Sequence, residues 1–171
     1  MDTAAFMTLA LACAPAVHID TARALVDVES SLNPWAIGVV GGALVRQPSH
    51  RAEALATARA LLANGWGFSV GLAQINARNF DRLGLTLETA FEPCSNLAAM
   101  QAVLTECHER AGASAGDEQR ALQRALSCYY SGDFSTGFLH GYVQRVINAS
   151  TTARRPASPP QVLNRNPKEK P

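Results

Sequence analysis

Glu29 is the residue of this chain best placed to carry acid chemistry. It lies in the run Val26-Asp27-Val28-Glu29-Ser30-Ser31. At 3.6 residues per turn, Ala22, Leu25, Val26 and Glu29 share one helical face, so this carboxyl should turn toward the core. Asp27, about 200° around the same helix, should face solvent. Burial disfavours the ionised form and lifts a glutamate pKa from about 4.3 toward roughly 6 in comparable sites. Such an acid can protonate the departing oxygen of a glycosidic bond. Periodicity alone equally allows a partly exposed residue near a helix end. A conventional glycoside hydrolase adds a second carboxylate. Residues 69–79 contain none, and Asp81 and Asp133 are the nearest candidates in sequence. A single-acid mechanism therefore fits the residues better.

The elements that must hold this carboxyl read as a mainly α domain. A first core helix is expected over residues 3–13, stopping at Pro15. Asp20 offers an N-cap for the Glu29 helix, which should end near Asn33-Pro34. Residues 35–48 read as a glycine-rich loop. Ser49 can cap a helix over 50–63 with Leu55, Ala58 and Leu62 on its apolar face. Residues 69–76 have turn or strand character around Gly71, the one β-like signal, and 77–83 a short helix. Pro93 suits the first turn of a long helix to about Arg110, with Leu97, Met100, Val103 or Leu104, and Cys107 inward. Helices are expected over 117–130 and 135–148, giving five to seven in all. Residues 1–150 form one domain, and 151–171, Pro-rich and basic, a disordered tail.

Composition narrows the function classes. The chain has 171 residues, 47% hydrophobic and 17% charged, enough apolar material for a core. The net charge of +1 hides an asymmetry: residues 1–150 carry 10 basic and 13 acidic side chains. A slightly acidic body argues against a nucleic-acid-binding face on the fold. Residues 4–16 are apolar but too short to span a membrane, and they lack the basic region of a secretion signal. An export signal would then be missing from this sequence or unconventional. Cys13, Cys94, Cys107 and Cys128 contain no CxxC pair and the His residues are scattered, which argues against zinc or another metal. The even count permits two disulfides in any of three pairings, and hence an oxidising compartment. Buried free thiols are the alternative.

Four segments then occur in order: Glu29-Ser30, Gly71-Leu72-Ala73-Gln74-Ile75-Asn76, Cys128-Tyr129-Tyr130-Ser131-Gly132 and Tyr142-Val143. Together, over roughly residues 12–147, they resemble the lysozyme-like (goose-type and soluble) lytic transglycosylases of bacteria. Cys13-Ala14-Pro15, the insertion from Gly41-Gly42 to Phe68, and the Cys128 to Gly132 segment are most similar to the transglycosylase subunit of type IV secretion and conjugation machines. The resemblance implies a lysozyme-like α domain without cofactor. Its substrate is peptidoglycan glycan, its location the periplasm, and its further partners secretion-apparatus proteins, with no nucleic acid and no stable membrane span.

It also implies residue roles. Glu29 protonates the MurNAc–GlcNAc β-1,4 oxygen, then as carboxylate takes the proton of the muramic C6 hydroxyl, giving a 1,6-anhydro end. Gln74 lines the cleft and bonds the sugar. Gly71 permits close approach or a tight bend, and Leu72, Asn76 and Ser131 support the site. Ser30 ties the Glu29 helix to its neighbour. Tyr142 brings a hydroxyl near the acid, and Tyr129 packs under the cleft or meets the sugar. Plain structural roles stay open for each: a turn residue for Gln74 and Gly71, a local cap for Ser30, core packing for Tyr142. Two positions depart from the family pattern. Ala73 replaces a commoner Met of the cleft wall. Tyr130 stands where many relatives carry Asn, and the Asn role does not transfer to it. Because some relatives hold cysteines matching only Cys13 and Cys94, the resemblance implies Cys13–Cys94 and Cys107–Cys128. The alternatives to a lyase are a lysozyme-type hydrolase and a catalytically idle wall-binding or assembly subunit, with the tail as a docking surface.

Overall fold

A computed structural model describes residues 1–112 and 117–153. Eight α-helices occur among them: α1 Thr3–Cys13, α2 Ile19–Ser30, α3 Arg51–Ala63, α4 Leu87–Ala90, α5 Pro93–Ala111, α6 Glu118–Ser131, α7 Thr136–Leu139 and α8 Tyr142–Ala153. A three-stranded antiparallel sheet, β1 Ile37–Val39, β2 Phe68–Val70 and β3 Ile75–Asn76, is inserted between them. No described helix is long and apolar enough to cross a membrane.

The fold is organised by α5. Leu97, Met100, Leu104, Cys107 and Ala111 recur at helical spacing and are all buried. They pack against α6 and α1, while α2 lies along α8. Of the two residues that could complete the α5 core face, Leu104 is buried and Val103 looks into a cleft. Cys13–Cys94 fastens the end of α1 to the start of α5, and Cys107–Cys128 staples α5 to α6. Their sequence separations of 81 and 21 residues correspond to about 4.5 and 3 kcal/mol of lost loop entropy in the unfolded chain.

Several local features differ from the sequence expectations. The glycine-rich loop contains β1, which pairs Ile37 with Val70 and Val39 with Phe68. A three-residue strand has no periodicity of its own, and long-range pairing creates it. The Gln47 side chain completes its outer edge, accepting from the Ile37 N–H at 2.8 Å and donating to the Ile37 carbonyl at 2.9 Å. The N-caps are His18 and His50 rather than Asp20 and Ser49, because each imidazole accepts a first-turn N–H. Ser49 instead bonds the Glu53 carboxylate through both its N–H and its hydroxyl. Leu62 is 60% exposed, since the last turn of α3 runs past its packing partners. Residues 77–83 form two 3-10 turns, Ala77–Asn79 and Asp81–Leu83. The short α4, capped reciprocally by Thr86 and Thr89, is an element with no counterpart in the expected helices. The last expected helix is broken at Gly141 into α7 and α8. Helix α8 continues through Ala153, into the first three residues expected to be tail. The rest of that segment, 154–171, lies outside the described residues.

Candidate active site

Glu29 sits in the last turn of α2, and Ser31 and Leu32 follow it in left-handed conformations that turn the chain sharply away. The inward face predicted for this helix is present: Ala22, Leu25 and Val26 are fully buried. Asp27 lies on the outer side, where Arg23 holds it at 2.8 Å. The Glu29 carboxyl is half-buried and lines a cleft of about 600 Å³. Desolvation pushes its pKa up to about 7, against the opposing influence of the Tyr142 hydroxyl and the Arg145 charge. Its place at a helix C-terminus, the negative end of the dipole, works in the same direction as burial.

Tyr142, at the start of α8 and 2% exposed, donates its hydroxyl to Glu29 Oε1 at 2.5 Å. Burial raises the Tyr142 pKa well above its ordinary value, so the group stays a donor. A protonated carboxyl whose Oε1 accepts from Tyr142 keeps its own proton on Oε2. The Tyr142 ring stacks on Tyr130, centroids 4.7 Å apart, with the Arg145 guanidinium 5.8 Å from its centre. Tyr130 is 42% exposed, and its hydroxyl pairs with His140 Nδ1 at 3.2 Å. Tyr130 thus braces Tyr142 from the cleft side, which is not the amide-like role of an Asn.

The Gly71-Leu72-Ala73-Gln74 segment is the loop of the β2–β3 hairpin. Three side chains from elsewhere hold it. The Ser30 hydroxyl donates to the Leu72 carbonyl at 2.7 Å, joining α2 to the loop. The Tyr129 hydroxyl donates to the Ala73 carbonyl at 2.7 Å. Asn96, 1% exposed on the apolar face of α5, donates to the Val70 and Ala90 carbonyls and accepts from the Ala73 N–H. Gly71 has φ +80°, and a Cβ there would lie 2.8 Å from the Asn96 side-chain carbon. Its lack of a side chain therefore serves the packing of Asn96 rather than approach of a ligand. Leu72 and Ala73 are fully buried and lie behind the cleft, so Ala73 is not a shortened cleft-wall residue.

Gln74 does face the cleft. It adopts φ +50°, costly for a side-chain-bearing residue, and its amide NH₂ donates to the Ala36 and Gly71 carbonyls at 3.1 and 3.0 Å. Its Oε1 lies over Gly38, where a Cβ would come within 2.7 Å. The amide nitrogen is thus spent on the backbone and the oxygen is left as the cleft-side acceptor. Asn76 caps the first 3-10 turn through Arg78 N–H and lines the cleft beside Ser69. Tyr129 forms part of the cleft wall, and the Ser131 hydroxyl bonds back to the Ser127 carbonyl at 2.9 Å.

Neither carboxylate favoured by sequence proximity enters the cleft: Asp81 does not line it, and Asp133 caps the turn before α7. The second acid of the cleft is Glu106 on α5, bound to Arg82 at 2.5 Å. Sequence reasoning missed Glu106 and Arg110 on α5 and Arg78 and Arg82 on the two 3-10 turns, which converge on the cleft. It also missed Asn96, though a lone amide on an apolar helical face is a readable sign. No cluster of metal-ligating side chains occurs among the described residues.

The chain is 44% identical over 168 residues to the type IV secretion system protein virB1 of Brucella suis biovar 1, covering 95% of this chain and 71% of that protein. It is 38% identical over 173 residues to the protein virB1 of Agrobacterium fabrum, covering 100% and 68%. No solved structure matches it significantly. The transglycosylase SLT domain matches residues 7–148, nearly all of the described fold and every residue around the cleft, and the chain belongs to that family.

Proposed function

We propose that this protein is a peptidoglycan lytic transglycosylase in which Glu29 is acid and then base. The observation that carries the reading is the seat of Glu29, a carboxyl held near pKa 7 in a sugar-sized cleft with Tyr142 fixing one oxygen. Protonated Glu29 gives its proton to the glycosidic oxygen between MurNAc and GlcNAc as the C1–O bond breaks. The carboxylate then takes the proton of the C6 hydroxyl of the same MurNAc. The C6 oxygen bonds to C1 and closes the 1,6-anhydro ring. No water is consumed, and Glu29 ends protonated as it began. The substrate's acetamido group stabilises the cation at C1. Glu106 is committed to Arg82, which supports the single-acid route. The Gln74 oxygen, Asn76 and Tyr129 hold the glycan, while Ser30 and Tyr142 position the acid.

The virB1 relative of Brucella suis is named as a type IV secretion system protein, which supports a role in opening the wall locally for such an apparatus. Components of that apparatus are then its protein partners. Both cystines suit the periplasm, an oxidising compartment.

The test is mass analysis of digested peptidoglycan. The wild type should release anhydro-muropeptides, and Glu29→Gln should release none while keeping its folded circular dichroism. Products heavier by one water would make the enzyme a hydrolase. Full activity of Glu29→Gln would remove Glu29 from the mechanism, and no product from the wild type would favour an idle wall-binding subunit.

A further inference from the structure

The charge of the cleft runs against that of the body around it. Residues 1–150 carry 10 basic and 13 acidic side chains, yet Arg78, Arg82 and Arg110 all line the cleft, against the carboxyls Glu29 and Glu106. Glu106 neutralises Arg82. Arg78 and Arg110 have no carboxylate partner among the described residues. Arg110 is also held in place: its guanidinium lies 5.5 Å from the centre of the Phe134 ring, and one nitrogen is 3.6 Å from Cys128 Sγ. Arg110 stands one helical turn after Glu106, so the Arg82–Glu106 pair fixes the same stretch of wall.

A glycan of N-acetylglucosamine and N-acetylmuramic acid whose lactyl carboxyls are amide-linked carries no charge for these arginines to meet. The anionic groups of peptidoglycan are the carboxylates of the peptide stem on the muramic lactyl group. We infer that Arg78 and Arg110 form a stem-peptide subsite, which binds a carboxylate of the peptide attached to a muramic residue in the cleft. This rests on the transglycosylase reading and adds to it that the preferred substrate is peptide-bearing rather than bare glycan. Charge-assisted contacts of this kind are strong for their number and weaken with salt.

The test is calorimetric binding to the whole 171-residue chain carrying Glu29→Gln, which separates recognition from turnover. The probes are a GlcNAc–MurNAc oligosaccharide carrying tetrapeptide stems and the same oligosaccharide with each lactyl carboxyl capped as a methylamide, which carries no charge. The peptide-bearing form should bind about tenfold tighter at low salt, the advantage shrinking as salt rises. Adding Arg78→Gln and Arg110→Gln should bring the ratio of the two affinities close to one. The Arg78→Lys, Arg110→Lys pair should restore part of it. Equal affinity of the two probes for Glu29→Gln would overturn the subsite. So would an advantage that survives the double Gln substitution. Failure of both probes to bind would instead count against the transglycosylase reading, and the subsite would fall with it.

Discussion

At the end of α2 the Glu29 carboxyl accepts one hydrogen bond, from Tyr142, while protein surrounds most of it. At the turn after α6 the exposed Asp133 carboxyl accepts four, from the N–H and hydroxyl of Ser135 and of Thr136. Both acids neighbour the cleft motifs in sequence. The first is pushed up to about 7, and the second is held well below the usual carboxylate range by its four donors. The difference lies in what replaces water. Asp133 exchanges hydration for dipoles aimed at its oxygens, so its ion is favoured. Glu29 loses hydration and regains little, so its proton is favoured. Nearness to a motif therefore says little about an acid's role, whereas the count of donors around it says a good deal.

The largest test of this contrast is the pH dependence of stability in Glu29→Gln. Between pH 4.5, the ordinary carboxyl value, and about 7, folded protein keeps a proton that the unfolded chain has released. Raising the pH through that window therefore destabilises the wild type, whereas a Gln has no proton to lose. The variant should gain on the wild type by on the order of 3 kcal/mol between pH 4 and pH 8, read from urea midpoints with the disulfides intact. A gap that does not change with pH would mean that Glu29 is not held as an acid.

How far such a site can be read in advance depends on how local its causes are. Helix α5 could be placed because Pro93 opens it and its apolar residues repeat over five turns. The inward face of α2 followed from the same period, and it brought Glu29 with it. Strand β1 could not be placed, because Ile37 becomes a strand only by meeting Val70, and Gln47 finishes the edge from ten residues away. The caps went to His18 and His50 because an imidazole nitrogen can replace a carboxylate as acceptor, and that choice is made by backbone geometry. Tyr142 and Ser30 reach their partners across 113 and 42 residues, so the family resemblance supplied what periodicity could not. The arginines of the cleft wall had neither a motif nor a period to announce them.

A second test acts on the hydrogen bond that Tyr142 gives Glu29, the one its carboxyl accepts among the described residues. The Tyr142 hydroxyl favours the carboxylate and so lowers the Glu29 pKa against the effect of burial. Tyr142→Phe keeps the ring stacked on Tyr130 and removes only that donor. Release of anhydro products needs protonated Glu29, so wild-type activity should fall above about pH 7. In Tyr142→Phe this alkaline limb should move to higher pH. Maximal kcat/KM should drop about tenfold, or 1.4 kcal/mol, from the loss of a fixed proton position. A drop with an unmoved pH profile would make Tyr142 a packing residue and leave the pKa of Glu29 to burial alone.

The smallest effect belongs to Asp133, and its value lies in its sign. Its folded carboxyl titrates below the unfolded value of 3.8, so it contributes stability that is fully present above pH 3.8 and fades as the pH falls further. Asp133→Ala should therefore be less stable than the wild type at pH 7, with the gap narrowing only in strong acid. Over the window from 4.5 to 7, where the Glu29→Gln gap changes steeply, the Asp133→Ala gap should stay flat. Exposure limits the size of the loss, since water can replace some of the donors in the variant. Urea midpoints from pH 2.5 to 8 in both variants would show two slopes of opposite sign in separate windows. A flat difference for Asp133→Ala down to pH 2.5 would mean that its four hydrogen bonds shape the turn without favouring its charge.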